Sequence, residues 1–225
     1  MSLTGPAEVF GSIHENALND MIHAFFDARP RYRRFGSPAF VPATTVNETS
    51  ISAIPFPGIP GGIDWRITFQ IPEVDLFKQS HPLPPQLTLG PGQFSVQTTV
   101  ELCINCVKRR DDRGSRSERG DKDPRHHLDQ VTCTKLGVFG IGHIDAWNNA
   151  NGDGAVRLRV DSVELVDITP DSLESVLECL IRMILDAIMS QIELPLKALR
   201  AGAFQLVVTE GPEIDDDRIK VFGDV

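Results

Sequence analysis

The sequence predicts an α+β fold: long antiparallel strands wrapped around an unusually apolar helix in the C-terminal half, with an N-terminal helix closing the seam. Three observations predict it. The segment "SLESVLECLIRMILDAIMSQIELPL" (172–196), placed at 100° per residue, is apolar over roughly 240°, well beyond the ~100° that seats a helix on a core. Residues 6–28 are apolar over about half a helical surface. Between these two segments run long stretches that alternate apolar and polar residues, the signature of half-buried antiparallel strands.

The elements follow in chain order. "PAEVFGSIHENALNDMIHAFFDA" is expected to be one helix from about Pro6 to Ala28, with Pro6 in its first turn and Pro30 ending it. His14 falls inside its apolar arc and His23 outside, and both read as structural. "RPRYRRF" then gathers Arg29, Arg31, Arg33 and Arg34, cations suited to a helix C-terminus or to an acidic partner or headgroup. Residues 36–62 are rich in Pro and Gly and read as irregular or edge chain.

"GIDWRITFQI" sets Ile63, Trp65, Ile67, Phe69 and Ile71 on one face of a strand and Asp64, Arg66, Thr68 and Gln70 on the other. A Pro-rich connection leads to a second strand, 94–107, with Val96, Thr98, Val100, Leu102 and Ile104 inward. Residues 108–130 carry almost no apolar side chains and mix both charge signs, so they read as a long, largely disordered hairpin loop. The third strand, "VTCTKLGVFGIGHIDAW", contains Gly137, Gly140 and Gly142, which permit bulges and curvature.

"NNANGDGAV" starts like a calcium loop, but Val160 stands where the closing acid belongs, so it reads as a Gly-rich turn. The fourth strand turns Val156, Leu158 and Val160 inward and slips phase around Ser162. Thr169-Pro170-Asp171 caps the oily helix, whose narrow polar band is Glu178, Arg182 and Asp186 at i, i+4 spacing. Two strands, "AFQLVVTE" and "RIKVFGDV", close the chain on either side of "GPEIDDD".

Composition bounds the function. A chain of 225 residues with 41% hydrophobic and 24% charged residues builds a real globular core. The net charge of −9 argues against general binding to nucleic acid or an anionic membrane. No apolar run reaches the ~18 residues of a spanning helix, and the first residues lack a signal-peptide pattern. The expected location is therefore cytoplasmic, or exported without a recognisable signal peptide. "NETS" at Asn47 is a glycosylation sequon in form only.

Cys103 and Cys106 form a Cys-x-x-Cys pair, followed by His126, His127 and Cys133. Residues three apart on a strand point to opposite faces, which argues against zinc and leaves two further readings: unpaired thiols, or a disulfide between this strand and Cys133. No metal or other cofactor is expected. The chain has no phosphate-cradling Gly loop, nucleophile elbow or metal-binding helix, so it is expected not to be an enzyme.

In element order and pattern the chain resembles the tubular lipid-binding (TULIP) superfamily, which includes the bactericidal/permeability-increasing protein family and bacterial toxin-cluster relatives. The likeness rests on the hairpin "FSVQTTVELCINC…VTCTKLGVFGIGHI", the passage "VRLRVDSVELVDITPDSLESVLECLIRMILDAIMSQI", and the tail "IELPLKALRAGAFQLVVTEGPEIDDDRIKVFGDV". It implies one domain over residues 1–225, with a highly curved antiparallel sheet rolled around the long helix and an elongated apolar cavity or groove for lipid. The acidic charge departs from the cationic members of that superfamily, and their disulfide has no assigned counterpart here.

The surplus apolar arc nominates the lining of a lipid site: Met21, Ile22, Phe25 and Phe26 from the first helix, and Leu180, Met183, Ile184, Ala187 and Ile188 from the second. The expected function is binding of a lipid or other hydrophobic ligand. The alternative is a structural or assembly subunit whose apolar helices or charged loop 108–130 meet a partner protein or a second copy.

Overall fold

Strand pairing begins earlier than the sequence suggested. In the computed structural model, which describes residues 9–56, 59–76, 82–105, 131–148, 154–166, 168, 171–195, 207–215 and 217–224, the first element is a strand, β1 (Val9–His14). The first helix, α1 (Glu15–Ala28), begins only after it, so the expected helix is corrected over Val9–His14, and Pro6 lies outside the described residues. The cause is tertiary. β1 pairs antiparallel with the last strand, β12 (Arg218–Asp224), from Val9↔Gly223 to His14↔Arg218. The Phe10 and Phe222 rings lie 6.3 Å apart across that ladder, a contact that helical periodicity cannot register. His14 is exposed at the strand end rather than inside a helical arc.

The chain divides into two units. The first comprises Met1–Phe25, Pro72–Thr98 and Gly137–Val225; the second comprises Phe26–Ile71 and Thr99–Leu136. Two long strands, β7 (Gln93–Asn105) and β8 (Val131–Asn148), contribute to both.

Within the first unit, β8 pairs antiparallel with β9 (Gly154–Leu165), and β9 pairs with the short β10 (Glu193–Pro195). β6 (Glu73–Asp75), a strand the sequence did not reveal, pairs with β7. The phase slip expected near Ser162 is a bulge: Ile141 faces Ser162 while Gly142 faces Val160, which leaves Asp161 as the extra residue. Buried positions therefore run Val156, Leu158, Val160 and then Val163, Leu165. Gly142 is required at this place, because a Cβ there would stand 2.0 Å from the Arg159 carbonyl oxygen and 2.7 Å from the Phe94 ring.

β11 (Val207–Asp215) pairs with β12 and continues through "GPEID", so the hairpin turn is confined to the residues around Asp217. Val221 of β12 is buried with Val156 of β9, and Ile144 and Leu194 pack against them. The N-terminal end of α1 is tied to β6. Asn19 donates to the Val74 carbonyl oxygen at 2.8 Å and accepts from the Val74 N–H at 2.9 Å, and Glu15 accepts from the Leu76 N–H at 2.8 Å.

In the second unit, a 3-10 turn, η1 (Pro30–Arg33), leads to β2 (Arg34–Gly36), β3 (Thr49–Ser50), β4 (Ile54–Phe56) and β5 (Ile59–Phe69). β5 pairs antiparallel with β2, β4 and β7, whereas β2 and β3 run parallel, so the pairing is mixed rather than wholly antiparallel. Trp65, Ile67 and Phe69 are buried as the alternation predicts, and Phe35 meets Phe69 edge-on at 6.0 Å. On the opposite face Arg66 and Thr68 are half-buried and Gln70 is exposed, but the first residue is closed off. Asp64 is buried and accepts from the Ser37 hydroxyl at 2.9 Å, while the same oxygen of Ser37 accepts from the Trp65 N–H.

Cys103 of β7 is disulfide-bonded to Cys133 of β8, and Cys179 is a free, exposed thiol. The disulfide reading of the cysteines is thus the one the structure adopts. Cys106, the charged loop 108–130, the turn at 149–153 and the cap at Thr169-Pro170 lie outside the described residues. Among the described residues, no helix is long and apolar enough to cross a membrane.

Candidate functional site: the outer stripe of the second helix

The second helix, α2 (Asp171–Met189), lies against β9, and its polar band decides how it lies. The spacing of Glu178, Arg182 and Asp186 suggests charges paired along a solvated face. They bind the sheet instead. β10 covers β9 at Ala155–Arg157. Farther along the strand, Asp186 accepts from the Val160 N–H at 3.0 Å and Glu178 from the Leu165 N–H at 3.2 Å. Arg182 donates to the Asp161 carbonyl oxygen at 3.5 Å. Asp186 also takes a two-pronged bond from Arg159, with Nε and Nη2 each at 2.9 Å. The helix thereby satisfies polar backbone groups of β9 on both sides of the bulge, much as a neighbouring strand would.

This anchoring fixes which apolar residues face inward. Leu177, Ile181, Ile184, Leu185, Ile188 and Met189 are buried. Val176, Cys179, Met183 and Ala187 recur at three- and four-residue spacing and are exposed, Val176 by 50% and Met183 by 61%. Leu180 is half-buried at the margin of that row. α2 therefore has two apolar sides. One is core, and the other is an outward stripe.

The nine nominated residues divide accordingly. Leu180, Met183 and Ala187 fall on the outward stripe or its edge, whereas Ile184 and Ile188 are buried. From α1, Ile22, Phe25 and Phe26 are buried and Met21 is half-buried. Val176 and Cys179 complete the stripe and were not nominated. Helical position placed them near Met183, but only the anchoring of the polar band shows that this side faces out.

Two acidic clusters flank the same unit. A cleft of about 190 Å³ is lined by Glu15, Asn19, Glu73, Asp75, Gln97 and Phe139, among others. Burial raises the Glu15 carboxyl above its usual range, and Asp75 and Asp217 push the same way, while the Leu76 N–H and His14 oppose them. Near the start of α2, carboxylate oxygens of Glu164, Glu174 and Glu178 lie within 4.8 Å of one another. Burial first, then repulsion from Glu178 and Glu174, raises the Glu164 carboxyl.

The arginines after α1 are engaged one by one in the second unit. Arg33 donates to the Phe69 carbonyl oxygen, Arg34 pairs with Glu48 at 3.7 Å, and Arg31 stands 5.0 Å over the Tyr32 ring.

No family model and no curated protein matches the chain. A search of solved structures returns the crystal structure of a lipopolysaccharide binding protein, at a TM-score of 0.34 and 12% sequence identity, over 97% of this chain and 50% of that one. The chain thus spans about half the length of that protein, and a likeness at this level decides neither fold nor function.

Proposed function

We propose that this protein is a non-catalytic carrier of a lipid or another hydrophobic ligand, held in an apolar groove along the outward stripe of α2. One observation carries the reading. Among its described side chains α2 buries six apolar ones against its own unit and still holds Val176, Cys179, Met183 and Ala187 in a row open to solvent. Exposed apolar side chains scattered singly are ordinary; a continuous row on one helix side is a contact surface. The unbranched thioether of Met183 adapts to acyl chains of varied shape. Leu180, Met183 and Ala187 touch the ligand, while Ile184 and Ile188 hold α2 on its own unit from the opposite side.

The test is organic extraction of the purified protein followed by mass spectrometry, for the parent and for Met183→Glu, with sizing over a range of concentrations. The expected result is a stoichiometric hydrophobic compound from a monomeric parent, and its loss from a Met183→Glu variant that still melts cooperatively. A clean extract from a parent that dimerises would overturn the reading in favour of an assembly subunit. Equal ligand content in parent and variant would remove Met183 from the lining.

A further inference from the structure

The disulfide of the second unit joins two unequal sulfurs. Cys103 is fully buried on β7, whereas Cys133 is exposed near the start of β8, where residues 131–135 are all exposed. Arg66 of β5 stands directly across from Cys103 in the strand register. It aims Nη2 at Cys103 Sγ, 3.5 Å away. Among the described residues its charge is shared with one carboxylate, Glu101, at 3.6 Å, and its Cζ lies 5.9 Å from the Phe40 ring centroid. Arg66 Nε is buried and has no hydrogen-bond partner among the described residues, so one donor of the guanidinium is unused.

We propose that Cys103–Cys133 is a directional exchange site for small thiols, with Cys133 the attacked sulfur and Cys103 the leaving thiolate stabilised by Arg66. Exchange proceeds by attack of a thiolate on one sulfur, and it is faster when the other leaves as a stabilised anion. A small thiolate, RS⁻, reaches Cys133 Sγ from solvent and forms an RS–Sγ bond. The Cys103–Cys133 bond breaks, and its electron pair goes to Cys103 Sγ. A second thiolate then attacks the R-derived sulfur, releasing RSSR and the Cys133 thiolate, and both protein thiolates take protons according to pH. Two thiols are oxidised to one disulfide and one protein disulfide is reduced to two thiols. Burial alone would hold Cys103 in its neutral form, and the neighbouring guanidinium is what makes the buried anion accessible. The inference is independent of the ligand reading, since it rests on a different unit of the chain.

Reduced glutathione is the probe. The protein is incubated with it, quenched by alkylation, and fragmented so that Cys103, Cys106, Cys133 and Cys179 are scored separately. The expected trapped adduct is on Cys133. Arg66→Gln should slow reduction about tenfold at neutral pH and move Cys103 alkylation in the reduced protein to higher pH, while Arg66→Lys restores much of the rate. Glu101→Gln, which removes the competing carboxylate, should accelerate reduction. An adduct on Cys103, or parental rates and an unchanged alkylation profile in both Arg66→Gln and Glu101→Gln, would overturn the proposal.

Discussion

Replacing Asp186 with alanine removes the contact that sets the rotation of α2 on β9. Three bonds go at once: those from Arg159 Nε and Nη2 at 2.9 Å each, and that from the Val160 N–H at 3.0 Å. The losses are unequal. Val160 is buried, so its N–H loses a partner where water replaces it poorly, at a cost of about 1–3 kcal/mol. The Arg159 side chain is 37% exposed and recovers much of its hydration, so the ion pair adds about 1 kcal/mol rather than the full value of a charge-assisted bond. The expected total is about 3 kcal/mol, which for a chain of this length lowers Tm by about 6–12 °C.

Asp186→Asn keeps an oxygen for the Val160 N–H and loses only the charge, so it should cost less than half as much. Urea denaturation of the parent, both single variants, Arg159→Ala and the double variant measures these terms and their coupling. An Asp186→Ala variant within about 0.5 kcal/mol of the parent, or no coupling to Arg159, would refute the claim that the polar band anchors the helix.

Three further expectations follow from the same geometry. Gly142→Ala forces a Cβ to within 2.0 Å of the Arg159 carbonyl oxygen, and should destabilise by about 3 kcal/mol or prevent folding; a parental Tm would contradict the bulge geometry. The Glu15 carboxyl is raised in the folded state above the ordinary 4.5, so its stability contribution is fully present below that value and declines as pH rises through the folded pKa. Glu15→Gln should therefore stabilise the protein more at pH 7 than at pH 4, and an equal shift at both would refute the assignment; Glu164→Gln is expected to behave in the same sense. Met183→Glu should leave cooperative unfolding intact, because a side chain that is 61% exposed contributes little to the core.

Much of the strand framework was legible in the chain. Trp65, Ile67 and Phe69 are buried as alternation requires, and the slip of phase near Ser162 is the bulge at Asp161. These features are local: a strand with one buried face writes its period of two into the sequence, and an extra residue breaks that period visibly. β1 was not legible, because Phe10 and Ile13 fit a helical arc equally well and the pairing to β12 spans nearly the whole chain. β6 is three residues long, too short for any period to show, and is held by Asn19 and by β7.

By itself the sequence determined that α2 carries more apolar surface than one core contact needs, since composition and spacing fix the circumference of a helix. Which part of that circumference is core was decided only in three dimensions. Glu178 and Asp186 look like solvated charges along the chain, yet their oxygens accept backbone N–H groups of β9, and those bonds turn Ile181, Leu185 and Met189 inward and leave Val176 and Met183 outside. A carboxylate is drawn to unsatisfied backbone donors wherever the fold places them, and one-dimensional patterning cannot say where that is.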